Sequence, residues 1–156
     1  HLDYSFAVGH EDGTFAYPPT QPGGGSATLR KQLGILKRFI ESFNFVRMTP
    51  MKVKEQSSAK SFSIEVLGEP GKAYAGYLHR SEKKGWKNSK EMNQGEFENW
   101  FVTVVIDVPE DRYQAEWILP TTGKVLQTSR IKHAGGDLRL DTPVYEMDLA
   151  LSLRRL

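Results

Sequence analysis

Hydrophobic residues recur along the chain at two different spacings. Between residues 27 and 43 they recur every three or four positions, at Leu29, Leu33, Leu36, Ile40 and Phe43. This spacing places them on one side of an α-helix. Ser26 can cap the first turn, because a serine hydroxyl can accept a free amide hydrogen there. Pro50 marks a limit that the helix should not pass. The pattern predicts an amphipathic helix over about residues 27 to 43.

From about residue 59 the hydrophobic spacing changes to two. Phe62, Ile64 and Val66 alternate with polar residues, and further strand-like segments follow at residues 73–77, 100–108, 113–119, 125–129, 138–140 and 147–153. Turn-forming residues separate several of these segments, notably at 109–111 and 120–123. Tyr113 and Trp117 lie four positions apart on one predicted strand, so both should face the core. The pattern predicts a mainly β fold, an antiparallel β-sandwich of about seven to eight strands.

The same pattern divides the chain into two unequal parts. Residues 1–25 hold a short strand-like segment, an Asp-Gly turn and a loop rich in proline and glycine. A polar stretch at residues 52–60 separates the predicted helix from the predicted sandwich. We therefore expect an N-terminal appendage over residues 1–51 and a β-sandwich domain over residues 52–156. A single amphipathic helix cannot bury its apolar side alone, so it needs the sandwich or a further body to pack against.

Composition narrows the possible function classes. The 156 residues are 38% hydrophobic and 26% charged, as expected of a globular domain. The formal charge of +2 argues against a dedicated nucleic-acid binder, which usually carries a strong basic excess. The absence of cysteine excludes disulfides and thiolate zinc sites, and no apolar run approaches the ~20 residues that span a bilayer. We expect no cofactor, no nucleic-acid partner and no membrane partner. Because the chain begins at His1, we also expect a processed or truncated piece of a longer protein.

An acidic cluster near the N-terminus is the first candidate for catalysis. His10, Glu11 and Asp12 are consecutive, and Asp3 lies close in sequence. Glycoside hydrolysis needs two carboxylates about 5 to 10 Å apart, which neighbouring loop residues can supply but do not have to. A solvated Asp-Gly turn is the simpler interpretation of the same residues. The four histidines are scattered along the chain, so we predict no metal site.

A basic segment with a tryptophan at its centre is the first candidate for binding. Residues 79–90 carry five Lys or Arg against one Glu, around Trp86. An exposed indole can stack on a sugar ring, and Lys84 and Lys87 would then favour acidic sugars. Tyr77 is a second aromatic candidate. The same composition is compatible with single-stranded nucleic acid, or with a solvated hairpin loop whose tryptophan folds back onto the sheet. We favour the solvated loop first and sugar contact second.

Several stretches resemble parts of bacterial glycosidase-like proteins. Residues 2–13, the following Pro-Gly-Gly-Gly loop and residues 29–33 resemble the last strand and helix of a (β/α)8 barrel. Gly-Lys-Ala-Tyr-Ala-Gly-Tyr-Leu at 71–78, together with residues 113–125 and 148–151, is similar to the C-terminal β-sandwich of such enzymes. That domain family is labelled collagen-binding. The matches touch both predicted parts and most of the chain.

The resemblance implies a non-catalytic module. In such enzymes the catalytic carboxylates lie at the C-terminal face of a barrel, on strands that would precede residue 1. Asp3, His10 and Glu11 would then stand at the rim of the active site, and this chain alone should not turn over substrate. The module would support the missing catalytic barrel domain and hold polysaccharide near it through Trp86 and Tyr77. The parent protein would be secreted or periplasmic.

Two other functions stay open. The chain can be a small glycosidase in its own right, pairing Glu11 or Asp12 with a sandwich carboxylate such as Glu116. It can also be a structural or protein-interaction domain, whose apolar helix side would make the isolated chain self-associate. An enzyme should release reducing sugar and lose that activity in Glu11→Gln. A binding module should show affinity without product, and a structural domain should show neither.

Overall fold

A computed structural model of the protein describes residues 27–57, 62–80, 102–145 and 148–156. In chain order these residues form α1 (Ala27–Glu41), a 3-10 helix (Phe45–Arg47), β1 (Thr49–Pro50), β2 (Lys54–Ser57), β3 (Phe62–Glu69), β4 (Ala73–Arg80), β5 (Val102–Ile118), β6 (Val125–Asp141) and β7 (Asp148–Arg155). The chain divides into two compact units, His1–Ser42 and Phe43–Leu156. Each unit is described by itself below.

The first unit contains α1, which confirms the predicted helix. The helix ends at Glu41, where the Ser42 amide donates to the carbonyl of Arg38 and the Ser42 hydroxyl donates to that of Phe39 at 2.6 Å. Within α1 the buried residue is Ile35, whereas Leu36, expected on the apolar side, is 51% exposed. Both residues are apolar, so their spacing alone does not define the edge of the buried stripe. None of the described helices is long and apolar enough to cross a membrane.

The second unit is an antiparallel sheet, as predicted. Its strands are hydrogen-bonded in the order β1-β3-β4-β7-β5-β2. Strand β6 lies outside this path and pairs with β5. Neighbouring strands are antiparallel throughout. The seven strands that the structure describes form one sheet, which is not closed into a barrel. The predicted mainly β class is therefore confirmed.

The predicted turn at residues 109–111 is wrong. Strand β5 continues through it, because Val108 pairs with Gly136 of β6 and Glu110 pairs with Ala134. Gly135, between those two partners, has a φ of +91°, which side chains other than glycine rarely adopt. The two strands predicted at 125–129 and 138–140 are likewise one continuous strand, β6. Pro109 therefore lies within a 17-residue strand rather than in a connection between two strands.

Strand β5 contributes buried residues on both sides of Pro109. Its buried positions are Val102, Val104, Val105, Ile106 and Val108 before the proline, and Tyr113, Ala115 and Trp117 after it. The first half pairs with β2 and the second half with β7. Residues of both halves belong to one buried cluster, so the whole strand contributes to a shared core. The Tyr113 hydroxyl donates to the carbonyl of Pro109 at 2.9 Å, four positions earlier on the same strand.

Aromatic residues fill much of this core. Tyr113 and Trp117 are 0% and 2% exposed, which confirms their predicted core positions. Tyr74 is also fully buried, and its hydroxyl accepts a hydrogen bond from the Gly71 amide at 3.0 Å. Gly68 allows this packing, because a Cβ there would lie only 2.8 Å from Cδ1 of Tyr74. The close approach of backbone to ring explains why β3 carries a glycine at this position.

Part of the segment expected to link the two predicted domains belongs to the sheet. Strand β2 lies within residues 52–60 and pairs with β5. Strand β1, just before the predicted boundary, pairs with β3. The domain limits 1–51 and 52–156 stay a prediction.

Candidate functional site

The two faces of β4 have different environments. Tyr74, Gly76 and Leu78 face the core and are buried, whereas Tyr77 and His79 lie on the other face and are exposed. This alternation follows from the two-residue period of a strand. Tyr77 is 44% exposed, so a large aromatic side chain stands at the surface of an ordered sheet. An exposed aromatic ring on an ordered sheet makes this end of β4 the candidate binding surface.

Pairing of β4 with its two neighbours surrounds Tyr77 and His79 with polar residues. On β3, Glu65 lies directly opposite Tyr77, and Ser63 lies opposite His79. On β7, Asp148 lies opposite His79. Because paired residues of neighbouring strands share a face, all five side chains belong to one surface. We call these five residues the Tyr77 surface.

An acidic group positions the two ring side chains. His79 Nδ1 lies 2.7 Å from Asp148 Oδ1, and a carboxylate can only accept, so this bond places a hydrogen on Nδ1. The rings of Tyr77 and His79 are parallel within 5°, with centroids 6.4 Å apart. This separation lies within the range of offset-stacked aromatic pairs. The Asp148 carboxylate thus orients the imidazole beside which the phenol ring lies.

The phenol of Tyr77 stays protonated near neutral pH. Partial burial raises the pKa of Tyr77, and the charge of Asp148 and a hydrogen bond to its carboxylate raise it further. An unperturbed tyrosine already has a pKa of about 10. The hydroxyl is therefore a neutral hydrogen-bonding group rather than a base. The chemistry suits binding of a polar ligand.

The negative charge of Glu65 is not balanced within the described part of the chain. Glu65 is exposed, and its side chain forms no hydrogen bond or ion pair with another described residue. Glu69, four positions along the same face of β3, lies 2.7 Å from Lys72 and 3.9 Å from Arg47. Arg154, on the same sheet face, lies over the ring of Phe43 at 4.2 Å. The Tyr77 surface is accordingly acidic, whereas the other end of that face carries both signs of charge.

A second cluster of charges lies where β5 pairs with β2 and β6. Asp107 and Asp137 are directly opposite each other, an unfavourable placement of like charges. Lys54 Nζ lies 2.9 Å and 3.1 Å from the two carboxylate oxygens of Asp137. This hydrogen bond, followed by the charge of Asp137, raises the pKa of Lys54. Because these groups are exposed and Lys54 offsets the repulsion, we interpret the cluster as a surface ion pair.

The structure places one of the predicted site residues, Tyr77. The others lie outside the described residues and stay predictions: Asp3, His10, Glu11, Lys84, Trp86 and Lys87. His79, expected to open the basic loop, belongs instead to β4. Glu116, the sandwich carboxylate of the small-glycosidase hypothesis, lies on β5 and accepts a hydrogen bond from Gln114 at 2.9 Å. Among the described residues, no group of three or more acidic, histidine or cysteine side chains is placed to hold a metal ion.

Sequence reasoning missed Asp148 and Glu65 as members of the surface. Asp148 lies 69 positions from His79 along the chain, and only the pairing of β4 with β7 brings them together. The alternation on β4 was a usable signal for Tyr77 and His79, because it places them on one face. No local pattern in the sequence identifies the strand that lies next to β4.

Comparison with known proteins finds a structural likeness at low sequence identity. The chain is similar to a solved structure titled "Glycoside hydrolase", with a TM-score of 0.54 and 12% identity over 90% of this chain. The chain spans 30% of that protein's length. No family model matches the chain. No curated protein matches it either. At this identity the likeness shows a similar fold alone, and the glycosidase-like, barrel-end and collagen-binding-type assignments stay predictions.

Proposed function

We propose that this chain is a non-catalytic β-sandwich module of a glycosidase-like protein, which supports the catalytic domain and holds polysaccharide. The observation that carries the proposal is the exposed Tyr77 ring on a sheet face, beside an imidazole that Asp148 orients. An exposed aromatic ring with hydrogen-bonding groups around it suits a sugar, which presents an apolar ring face and polar hydroxyls.

The surface offers hydrogen-bonding groups of both kinds at short range. The carboxylates of Glu65 and Asp148 accept hydrogen bonds, and the hydroxyl of Ser63 both accepts and donates. Their backbones are held by the pairing of three neighbouring strands, so little ordering is needed when a ligand binds. Trp86 follows β4 by six positions and is proposed as a second aromatic contact.

The supporting role rests on the comparison with the glycoside hydrolase. This chain matches 30% of that protein's length, which leaves the larger share for other parts. We propose that catalysis belongs to such a part in the parent protein. A module that holds extracellular polysaccharide also places the parent outside the cytoplasm, as a secreted or periplasmic protein.

Affinity electrophoresis tests the proposal. The chain is run through gels that contain a polysaccharide, together with the variants Tyr77→Ala and Trp86→Ala. Phe45→Ala is the control, because Phe45 is 48% exposed but lies on the 3-10 helix. We expect the gel to retard the wild type and the control, and to retard Tyr77→Ala much less. No retardation by any polysaccharide, or retardation that neither aromatic substitution changes, would contradict the proposal.

A further inference from the structure

We infer that the Tyr77 surface selects uncharged polysaccharide and excludes polyanionic chains, with Glu65 and Asp148 as the residues that determine this specificity. The inference rests on the proposed function, since it names the class of ligand that the same surface would hold. It differs from the expectation drawn from Lys84 and Lys87, which favoured acidic sugars.

Two carboxylates flank the Tyr77 ring on opposite sides. Glu65 faces it from β3, and directly opposite residues of an antiparallel pair have Cβ atoms about 4.5–5.5 Å apart. Asp148, on the other neighbouring strand β7, lies opposite His79, and its Oδ1 is 2.7 Å from Nδ1 of the imidazole that stacks beside the Tyr77 ring. A sugar stacked on the ring would therefore have a carboxylate within reach at each edge.

The chemistry of these two groups distinguishes neutral from acidic sugars. An ionised carboxylate only accepts hydrogen bonds, and every hydroxyl of a neutral sugar can donate one. A uronate or sulfate group would instead bring a second negative charge against the first. Such repulsion against the wrong ligand is a common source of specificity.

The pattern of ion pairs separates the two carboxylates near the ring, because described residues leave only the charge of Glu65 without an ion pair. His79 pairs with Asp148, but Glu65 has no described partner. The matched residue Glu69 is on the same face of the same strand and is paired with both Arg47 and Lys72. Repulsion of a polyanion should therefore come from Glu65 and not from Glu69. These two glutamates give the inference an internal control.

The experiment uses two polymers that differ only in charge. A neutral glucan and the same glucan oxidised to the carboxylate at C6 are compared as ligands at low salt, for the wild type, Glu65→Gln and Glu69→Gln. We expect the wild type to bind the neutral polymer and to bind the oxidised polymer at least tenfold more weakly. Glu65→Gln should lower the ratio of neutral to oxidised affinity by at least about tenfold, because it removes the charge that repels the oxidised polymer and also an acceptor for the hydroxyls of the neutral polymer. Glu69→Gln should leave that ratio unchanged.

Three outcomes would overturn the inference, and they are distinguishable. Equal binding of both polymers that is lost in Tyr77→Ala would leave the proposed function standing and remove the selectivity. Preference for the oxidised polymer that is lost in the double variant Lys84→Ala/Lys87→Ala would assign selectivity to the basic loop. Binding of neither polymer, in a chain whose thermal unfolding shows that it is folded, would contradict the proposed function itself.

Discussion

Two tyrosines three positions apart on β4 have different environments and different roles. Tyr74 is fully buried, and its hydroxyl is satisfied by the amide of Gly71. Tyr77 is 44% exposed, and its ring lies parallel to that of His79, whose imidazole Asp148 orients. The odd spacing places them on opposite faces of the sheet. The same residue type therefore stabilises the fold at one position and is available to a ligand at the other.

The difference between the two tyrosines is one of free energy as well as of location. Burying a large apolar side chain contributes about 1.5–3 kcal/mol to the free energy of unfolding, and an exposed one contributes much less. Tyr74 belongs to the buried cluster at the core of the sheet, whereas Tyr77 does not. The comparison predicts that stability and binding respond to different substitutions on the same strand.

Truncating each tyrosine should separate the two roles most clearly. Tyr74→Ala should lower the free energy of unfolding by about 3–5 kcal/mol, because it leaves a cavity in a packed core. Tyr77→Ala should lower it by less than about 1 kcal/mol, since the side chain is half exposed. Urea unfolding at neutral pH measures both values. A similar loss for the two variants would mean that the Tyr77 face is as structural as the core face.

Adding a methyl group beneath Tyr74 should cost less than removing the ring. In Gly68→Ala the new Cβ would lie 2.8 Å from Cγ of Met51 and 2.8 Å from Cδ1 of Tyr74. The methionine side chain can move, but the buried ring has little room, so we expect a loss of about 1–3 kcal/mol. Gly34→Ala in α1 is the control, because the nearest atom to its new Cβ is Arg38 Nη1 at 3.6 Å. That substitution should not destabilise the chain, since alanine favours helix.

The smallest predicted effect on the free energy of unfolding concerns Tyr113, a core tyrosine of β5. Burial raises the pKa of Tyr113, and the neighbouring Tyr74 and Asp111 raise it further, against an opposing effect of Arg155. Above about pH 10 the phenol ionises in the unfolded chain before it ionises in the folded chain. The free energy of unfolding should therefore fall as pH rises beyond 10.

Tyr113→Phe tests this origin of the alkaline loss. The variant lacks the hydrogen bond to Pro109, so it should lose about 0.5–1.5 kcal/mol at neutral pH. Its stability should then fall less steeply with pH than that of the wild type, leaving the contribution of Tyr77, whose pKa is also raised. Unfolding measured at several values between pH 8 and pH 11 checks the slope. Equal slopes in variant and wild type would assign the alkaline loss to other groups.

The sequence was most informative where local pattern decides the structure. The helix at α1, the alternation on β3 and the core positions of Tyr113 and Trp117 were all predicted from spacing. The turn at Pro109 was wrong because turn-forming composition is a local signal. Pairing with β6 continues on both sides of that proline, and the sequence near it does not show this.

The candidate site was predictable only in part for a related reason. Tyr77 was selected from the sequence as an aromatic residue that could stack on a sugar ring. Glu65 and Asp148 became its neighbours through β3 and β7, and β7 lies between β4 and β5 rather than after β6 in the sheet. Strand order of this kind depends on contacts between distant parts of the chain. A local pattern therefore found the aromatic residue but not the carboxylates that give the surface its charge.

The position of β7 also has a consequence for how the protein is made. This strand connects the β1-β3-β4 part of the sheet to the part that contains β5, and it is the last of the described strands to leave the ribosome. Until β7 has been synthesised, β4 and β5 each present an unpaired edge, and exposed edges of this kind promote aggregation. The two parts of the sheet can therefore join only after β7 has been synthesised, and until then each exposes an edge that the finished sheet covers.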